Sequence, residues 1–598
     1  MIAPMLKFSF LLHHAQYPAF LNQLQELGLV HIETVTDNLS ENGEQYLRQL
    51  HSTQECLAAL ALLKKGKSNK SSNEWTNGED LLRAYELLTK EEAELKRQRK
   101  ELQNQLSIVA PWGDLPETRL KTLENKGVYL HFYDCVPHDF DETWRKEFTI
   151  EIVREFHQKI YFFLLTRQPD APSLHGAELV RFPALGLHAL QQRLKEVHQR
   201  LTEIREAYKE LSADRHLLET YSDELQDLLA RENALHQTQS PIAGRLMLLQ
   251  TWVAAKDRGK LIAALETMQV VFFEERPSPN SKVPVLLSNG YFARLFQPIG
   301  NIFALPDYNE LDLTPFFAPF FMLFFGMCLS DVIYGAIIFA VVTYLKHRNN
   351  TALRPLLTLG QFLGAAAIVF GLLTGSMGGI DLNKTDIAGL NQLKQYFIQT
   401  DSLFNISLII GLVQILFGMS LKVINRSRIF GWAFGISPLG WILSIIGALL
   451  LQFTTLTSVA YILLGIGLTG IILFSDPNAG LFKRIGLGLW DLYGVTGLFG
   501  DVLSYIRLFA LGLSSATLGY VVNTIALSAL SLPPVIGELC FLAILLFGHG
   551  LNFGISTLSA FVHPIRLTFV EFYKNAGFAG GGQPFKPFAY QHHYSNKS

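Results

Sequence analysis

Residues Ile429–Ser475 read IFGWAFGISPLGWILSIIGALLLQFTTLTSVAYILLGIGLTGIILFS and contain no Asp, Glu, Lys or Arg. About 20 apolar residues suffice for a helix to cross a bilayer, so this stretch reads as two crossings, Ile429–Phe453 and Leu456–Phe474. Comparable apolar runs flank it at Leu356–Ile380, Leu403–Ile424, Val502–Leu530 and Val535–His563. Phe316–Leu345 is too long for one untilted span and carries GMCLSD, Gly326–Asp331, near its middle. The carboxy-terminal part of the chain is therefore expected to be an all-α polytopic membrane domain.

Charge sets its orientation. Cytoplasmic loops are enriched in Lys and Arg, which places the loops holding Lys346, Arg348 and Arg354, then Lys422, Arg426 and Arg428, then Lys483 and Arg484 inside. Asp381, Asp386 and Asp401 mark an external loop. With a cytoplasmic amino-terminal half, this alternation works only if Phe316–Leu345 enters and returns as a short hairpin, its arms supported by packing against protein. The expected count is about eight transmembrane helices with both termini inside.

The 598 residues exceed what one hydrophobic core fills. Charged residues concentrate before Pro306, so a soluble arm is expected over 1–312, a transmembrane ion-translocation domain over 313–573 and a cytoplasmic tail over 574–598. Leu6–Phe10 reads as a strand, His14–Leu27 as an amphipathic helix and Leu29–Ile32 as a second strand, opening a small α/β lobe. Leu81, Leu88, Leu95 and Leu102 recur every seven residues, and Leu187 to Leu229 carries a longer stripe at three- and four-residue steps. Such stripes need a partner helix. Together they suggest a long antiparallel coiled coil, one arm of which would run unbroken from Leu187 to Leu229 over roughly 60 Å. Strands at Val128–Tyr133 and Lys159–Leu165 would form a distal α/β lobe, and Arg245–Phe273 would return to complete the proximal one. A coiled coil used only for dimerisation fits the same heptads.

Net charge is −2, which gives no reason to expect nucleic acid as a partner. No Walker-type glycine loop ending in Lys-Ser or Lys-Thr is present, so the chain is not expected to hydrolyse nucleotide itself; no catalytic residue, cofactor or metal site is assigned. Cys56, Cys135, Cys328 and Cys540 are too scattered for a zinc motif or a disulfide framework. MIAPMLKFSFLLHH turns polar too soon for a secretory signal.

Chemistry is expected in the last two spans. Between Val502 and Ile565 the only charged residues are Arg507 and Glu538. An arginine at membrane depth costs at least ~2.5 kcal/mol on insertion scales and is a functional hypothesis by default; the competing reading is snorkelling from the cytoplasmic helix end. His549, Asn552, Ser556, Ser559, His563 and Arg566 follow helical spacing and share one face. Each alone reads as an interhelical hydrogen bond; the aligned set points to a polar path. Ser504, Arg507 and Ser514 make a comparable stripe, while Asp331 and Asp501 are either path residues or capping carboxylates.

At these residues the chain resembles subunit I of bacterial and archaeal V/A-type ATPases, the counterpart of eukaryotic vacuolar subunit a. The matching segments are GLFGDVLSYIRLFALGL (Gly497–Leu513), HPIRLTFVEFYK (His563–Lys574), FAGGGQPFKPF (Phe578–Phe588), FFGMCLSDVIYG (Phe324–Gly335) and the opening segment through QELGLVHI, ending at Ile32. The resemblance covers most of the chain. It implies a stator that holds a rotating proteolipid ring, with Arg507 facing the ring carboxylate, Arg566 supporting it and Glu571 just beyond. Ser556 stands where eukaryotic members tend to carry a channel glutamate, and Asp501 where they tend to carry histidine. Implied partners are the proteolipid rotor ring, peripheral-stalk heterodimers, the catalytic soluble ATPase sector and the lipid bilayer of a bacterial or archaeal cell. The moving ion, proton or sodium, is not assigned by these residues. A secondary transporter with a cytoplasmic regulatory arm is the alternative; it predicts an internal repeat in the membrane half, and none is visible.

Overall fold

In the computed structural model, the residues described are all except 34–39, 63–74, 76, 114–121, 157, 183–185, 243–245, 279–280, 349–352, 382–399 and 592–598. Asp386 thus lies outside the described residues. In chain order come β1 (Met5–His13), α1 (Tyr17–Leu27), β2 (Val30–Ile32), α2 (Glu41–Ala61), α3 (Gly78–Val109), β3 (Tyr129–Cys135), β4 (Thr149–Phe156), β5 (Lys159–Thr166) and β6 (Ala177–Leu179). Then follow α4 (Leu187–Leu211), α5 (Arg215–His236), β7 (Gln239–Ile242), β8 (Leu246–Ala254), α6 (Arg258–Met268), β9 (Val271–Glu275) and α7 (Tyr291–Phe303). The apolar helices are α8 (Thr314–Leu329), α9 (Val332–Arg348), α10 (Arg354–Thr374), α11 (Thr400–Phe430), α12 (Ile436–Phe453), α13 (Thr457–Phe474), α14 (Leu481–Tyr493), α15 (Val495–Leu503), α16 (Ile506–Ala529) and α17 (Ile536–Arg566).

The chain divides into two units. One comprises Met1–Thr34 and Thr238–Ala589; the other is Val35–Gln237 with residues 590–597.

In the first unit an antiparallel sheet runs β2-β8-β1-β9, with β7 also on β8. Alternation along β1 buries Phe8, Phe10 and Leu12 on one face, while Met5, on the other, joins Trp252, Ala254 and Val283. The buried stripe of α1, Tyr17, Phe20, Leu21 and Leu24, supplies further core, with Phe20 edge-on to Phe10. Gly28 stops α1 in the left-handed conformation at φ 62, where a side chain is disfavoured. The return of Arg245–Phe273 to this lobe, expected from sequence, is seen as β8, α6 and β9.

The segment 578–589 sews this lobe to the membrane helices. Ala579 N and Gly580 N donate to the Glu310 carboxylate at 2.8 and 3.1 Å. Gly582 N donates to Leu305 O, Val285 N to Gln583 O, Phe585 N to Val285 O and Phe588 N to Val30 O, at 2.7–3.2 Å. The His31 ring packs on Phe585, and its Nδ1 accepts from Lys586 N at 3.0 Å.

Among the described residues, six helical segments are long and apolar enough to cross a membrane, and α8 is a shorter apolar helix. The hairpin expected of Phe316–Leu345 is present as α8 and α9. Gly326 of α8 packs on Ala366 and Phe370 of α10, and Ser330 Oγ lies 2.8 Å from Thr374 Oγ1, so α8 and α10 run parallel. Gly371 meets Val332 and Gly360 meets Val342, so α9 runs back against α10. The reversal falls at Ser330, φ 41, and Asp331 caps α9 by accepting from Ile333 N and Tyr334 N. Phe296, Phe317, Phe321 and Phe324 fill the core around α8.

In the second unit α3 lies antiparallel to α4 and α5: Gly78 meets Leu217, Tyr85 stacks near Tyr208, and Glu91 pairs with Arg200 at 2.6 Å. Leu190, Val197, Ile204, Leu211, Leu218 and Leu225 are buried at seven-residue spacing. The unbroken helix expected from Leu187 to Leu229 is not formed. A 3-10 turn at Ser212–Asp214 divides it into α4 and α5, where Ser and Asp offer the backbone alternative hydrogen bonds; Ser212 Oγ donates to Lys209 O at 2.7 Å. The second sheet, β4-β5-β3-β6, contains both strands expected from sequence. Its core centres on Phe162, fully buried between Tyr133, Phe140 and Trp144. Phe162→Ala should destabilise this sheet by about 3–5 kcal/mol. Hydrogen exchange of residues 129–166 in the full chain measures it, and unchanged protection would contradict this core assignment.

Candidate functional site

Arg507 stands in the first turn of α16, but apolar helix begins well upstream, at Leu481. Its approach to the membrane interior is fixed by three buried contacts of its own helix. The Tyr505 hydroxyl donates to Gln414 Oε1 at 2.6 Å, its ring filling the space above Gly411 of α11. Leu508 is buried in the same core, and Gly512 packs directly on Met327 O of α8. Arg507 itself is half-buried, and its Nη1 is buried with no hydrogen-bond partner among the described residues.

The opposite side of this segment is open. Gly497, Gly500, Ala510, Ser514, Thr517, Val521, Thr524 and Ser528 recur at three- and four-residue steps through Ser504 and Arg507, and all eight are exposed. Small side chains of this kind let a second helix backbone approach closely.

Behind Arg507, α17 continues past Arg566 into a π-helical turn, Leu567–Phe572. Such turns insert an extra residue and re-aim side chains; here Thr568 and Glu571 are buried. Arg507 and Arg566 both act electrostatically on His563 and Glu571. His563 is half-buried and Arg566 exposed. His563 Nδ1, Thr568 Oγ1 and Glu571 Oε2 are, like Arg507 Nη1, buried without a hydrogen-bond partner among the described residues. Ser504 Oγ donates to Gly500 O at 3.0 Å and also hydrogen-bonds Glu571. Asp501 is committed to Lys574 Nζ at 3.0 Å and Asn575 Nδ2 at 2.9 Å.

Farther along α17, His549, Asn552 and Ser556 form a second group, separated from His563 by about 10 Å of helix rise. Asn552 Nδ2 donates to Tyr334 OH at 3.0 Å and to Ser515 O at 3.1 Å, and Ser556 Oγ donates to Asn552 Oδ1 at 3.0 Å. Asp331 is buried and spent on turn geometry, accepting from Gly378 N at 2.7 Å and Ser376 Oγ at 3.1 Å besides capping α9. A cavity of about 120 Å³ lies beside this turn, bounded by Ser330, Thr374, Ser407, Leu508, Phe509 and Gly512.

The structure thus brings Arg507, His563, Glu571 and Ser504 together, places Asp501 in an adjoining ion pair, and holds His549, Asn552 and Ser556 apart from them. Sequence reasoning missed Tyr334, Gln414, Asn523, Lys574 and Asn575. Tyr334 and Lys574 lay inside segments already singled out, but a hydroxyl or a cation one helix away has no sequence signature at its partner.

Among known proteins, the A-type ATP synthase subunit I of Methanocaldococcus jannaschii is 29% identical over 457 residues, 69% of this chain and 65% of that protein. The match thus spans a little under two thirds of that relative's length. The V-type ATP synthase subunit I of Borreliella burgdorferi is 25% identical over 597 residues, covering 94% of this chain and 95% of its own length. The V-type ATP synthase subunit I 1 of Treponema pallidum is 24% identical and matches over 98% of this chain and 100% of that protein. Over nearly its whole length the chain is thus similar to subunit I of V- and A-type ATP synthases. No protein-family model matches it. A match over 98% of this chain contains the segment around Arg507.

Proposed function

We propose that this chain is the membrane stator of a rotary ATP synthase or ATPase, which passes protons or sodium ions between two half-paths against a rotating ring. The observation that carries this reading is Arg507, a permanent cation with a buried nitrogen that has no hydrogen-bond partner among the described residues, within an exposed stripe of small residues. A guanidinium stays charged at any working pH and favours the ionised form of a carboxylate opposite it. A ring carboxylate reaching Arg507 therefore gives up its ion. It must be neutralised before it returns to lipid, where a bare charge is expensive. Offset inner and outer paths then make transport depend on rotation. Each charge crossing 100 mV is worth ~2.3 kcal/mol, so several ions accompany each ATP.

The inner path would run by Glu571, Ser504, His563 and Arg566; Glu571 Oε2 and His563 Nδ1, buried without a hydrogen-bond partner among the described residues, call for hydration or a partner. The outer path would run by Asn552 and Ser556. Eight crossings follow if α8 and α9 count as the short hairpin, with both ends of the membrane domain on the cytoplasmic side. The heptad-packed helices α3, α4 and α5 would act as a coiled-coil strut between two lobes that dock the peripheral stalks below the catalytic sector.

Cross-linking tests the ring-facing stripe. In the assembled complex, Thr517→Cys is expected to form a disulfide with a cysteine on the outer helix of the ring subunit, whereas Ile462→Cys on α13, though 60% exposed, is not. Equal cross-linking at both positions would assign the stripe to lipid.

A further inference from the structure

His549 has both ring nitrogens occupied within the chain. Nδ1 lies 2.8 Å from Tyr334 OH on α9, and Nε2 lies 2.9 Å from Asn523 Oδ1 on α16. The orientation of each partner is set independently. Asn523 Nδ2 donates to Gly378 O at 2.8 Å, so its Oδ1 faces His549 and the Nε2 must carry a proton. Asn552 Nδ2 donates to Tyr334 OH, which leaves the phenol proton directed at Nδ1 as acceptor. The donors therefore run one way, from Ser556 through Asn552, Tyr334, His549 and Asn523 to a backbone carbonyl. Two amides interrupt this line. An amide holds its protons, so the line cannot hand an ion from end to end. Its outer terminus is Gly378, in a turn whose neighbour Gly379 packs backbone to backbone on Gly519 of α16.

We propose that His549 is a bridge and not a carrier of the ion, and that Tyr334 and Asn523 are positioning residues that use it to tie α9, α16, α17 and the 376–381 turn together, fixing Asn552 and Ser556 on the outer path. The inference rests on the stator reading above and narrows it, because it withdraws His549 from the ion's route. A bridge needs one donor and one acceptor at the right height but no titratable group. Glutamine supplies both, whereas leucine supplies neither.

The test uses the complete complex in liposomes, with ATP-driven uptake measured across pH beside ATP hydrolysis, for His549→Gln, His549→Leu, Tyr334→Phe and Asn523→Leu. His549→Gln is expected to keep at least about half of the uptake with an unchanged pH profile. His549→Leu, Tyr334→Phe and Asn523→Leu are expected to lose on the order of tenfold, the usual scale for removing a partner that orients a working group. If His549→Gln is as inactive as His549→Leu, or shifts the pH profile, His549 is a carrier and the proposal fails. Wild-type uptake by Tyr334→Phe overturns it too. Should the apolar variants not assemble, the pH profile of His549→Gln still decides. An Arg507→Ala complex in the same series separates the two claims: if it pumps normally the stator reading falls, and if it is dead while Tyr334→Phe is fully active only the bridge falls.

Discussion

Arg507→Ala, assembled with its ring and catalytic sector, is expected to lose ATP-driven ion uptake by at least ~100-fold, the scale on which a single preorganised charge acts. Assembly should survive, because the residues that seat this helix are Tyr505, Leu508 and Gly512, and among the described residues the Arg507 Nη1 makes no hydrogen bond whose loss would unseat it. Removing the cation also relieves a buried charge, so stability is not expected to suffer. Arg507→Lys keeps a charge but replaces a planar fork by a point on a flexible stem; partial uptake, above Ala and below wild type, is the expected outcome. Uptake and hydrolysis measured together decide the matter: full uptake in the Ala variant would remove Arg507 from the mechanism.

The second large effect concerns the tail. A chain ending at Gly577 should still insert its membrane helices but lose coupling between hydrolysis and transport. It forfeits the donors to Glu310, Leu305 and Val30 and both bonds at Val285, each worth about 1 kcal/mol, together with the buried Phe588. Glu310, 8% exposed, would also be left without the two tail amides it now accepts. Faster hydrogen exchange across 283–288 and 305–310, with hydrolysis no longer driving uptake, is the expected signature; wild-type exchange and coupling would show the tail to be dispensable. The same seam carries a pH dependence. Burial holds the His31 imidazole below its usual value of 6.5, so the docked state favours the neutral ring. Its contribution is complete above 6.5 and declines as pH falls below that value.

The apolar helices were legible because hydrocarbon imposes a length and a composition that survive without tertiary context, and the hairpin followed from charge alternation alone. Arg507 was legible for the same reason, as a charge where charge is costly. The proximal lobe could be read from the pattern at Leu6–Phe10 and Leu29–Ile32, but its closing partner was only a mixed segment. Two things escaped. The break at Ser212–Asp214 is invisible to a heptad count, since Leu211 and Leu218 keep the repeat through it. The polar face of α17 looked continuous in sequence, yet Tyr334 and Asn523 claim the half around His549 and Asn552, and a π turn follows its other end; partner identity and a one-residue helical insertion are tertiary properties that spacing does not encode.

Strand β1 lies between β8 and β9, so Met5–His13 leaves the ribosome long before Leu246–Glu275 exists to flank it. Throughout that interval both of its backbone edges are open to pairing with other nascent chains, while Val35–Gln237 can mature as an insert. Biogenesis should therefore depend on chaperone cover during this window, and stalled or prematurely terminated products carrying β1 without β8 should be the aggregating species in the cell.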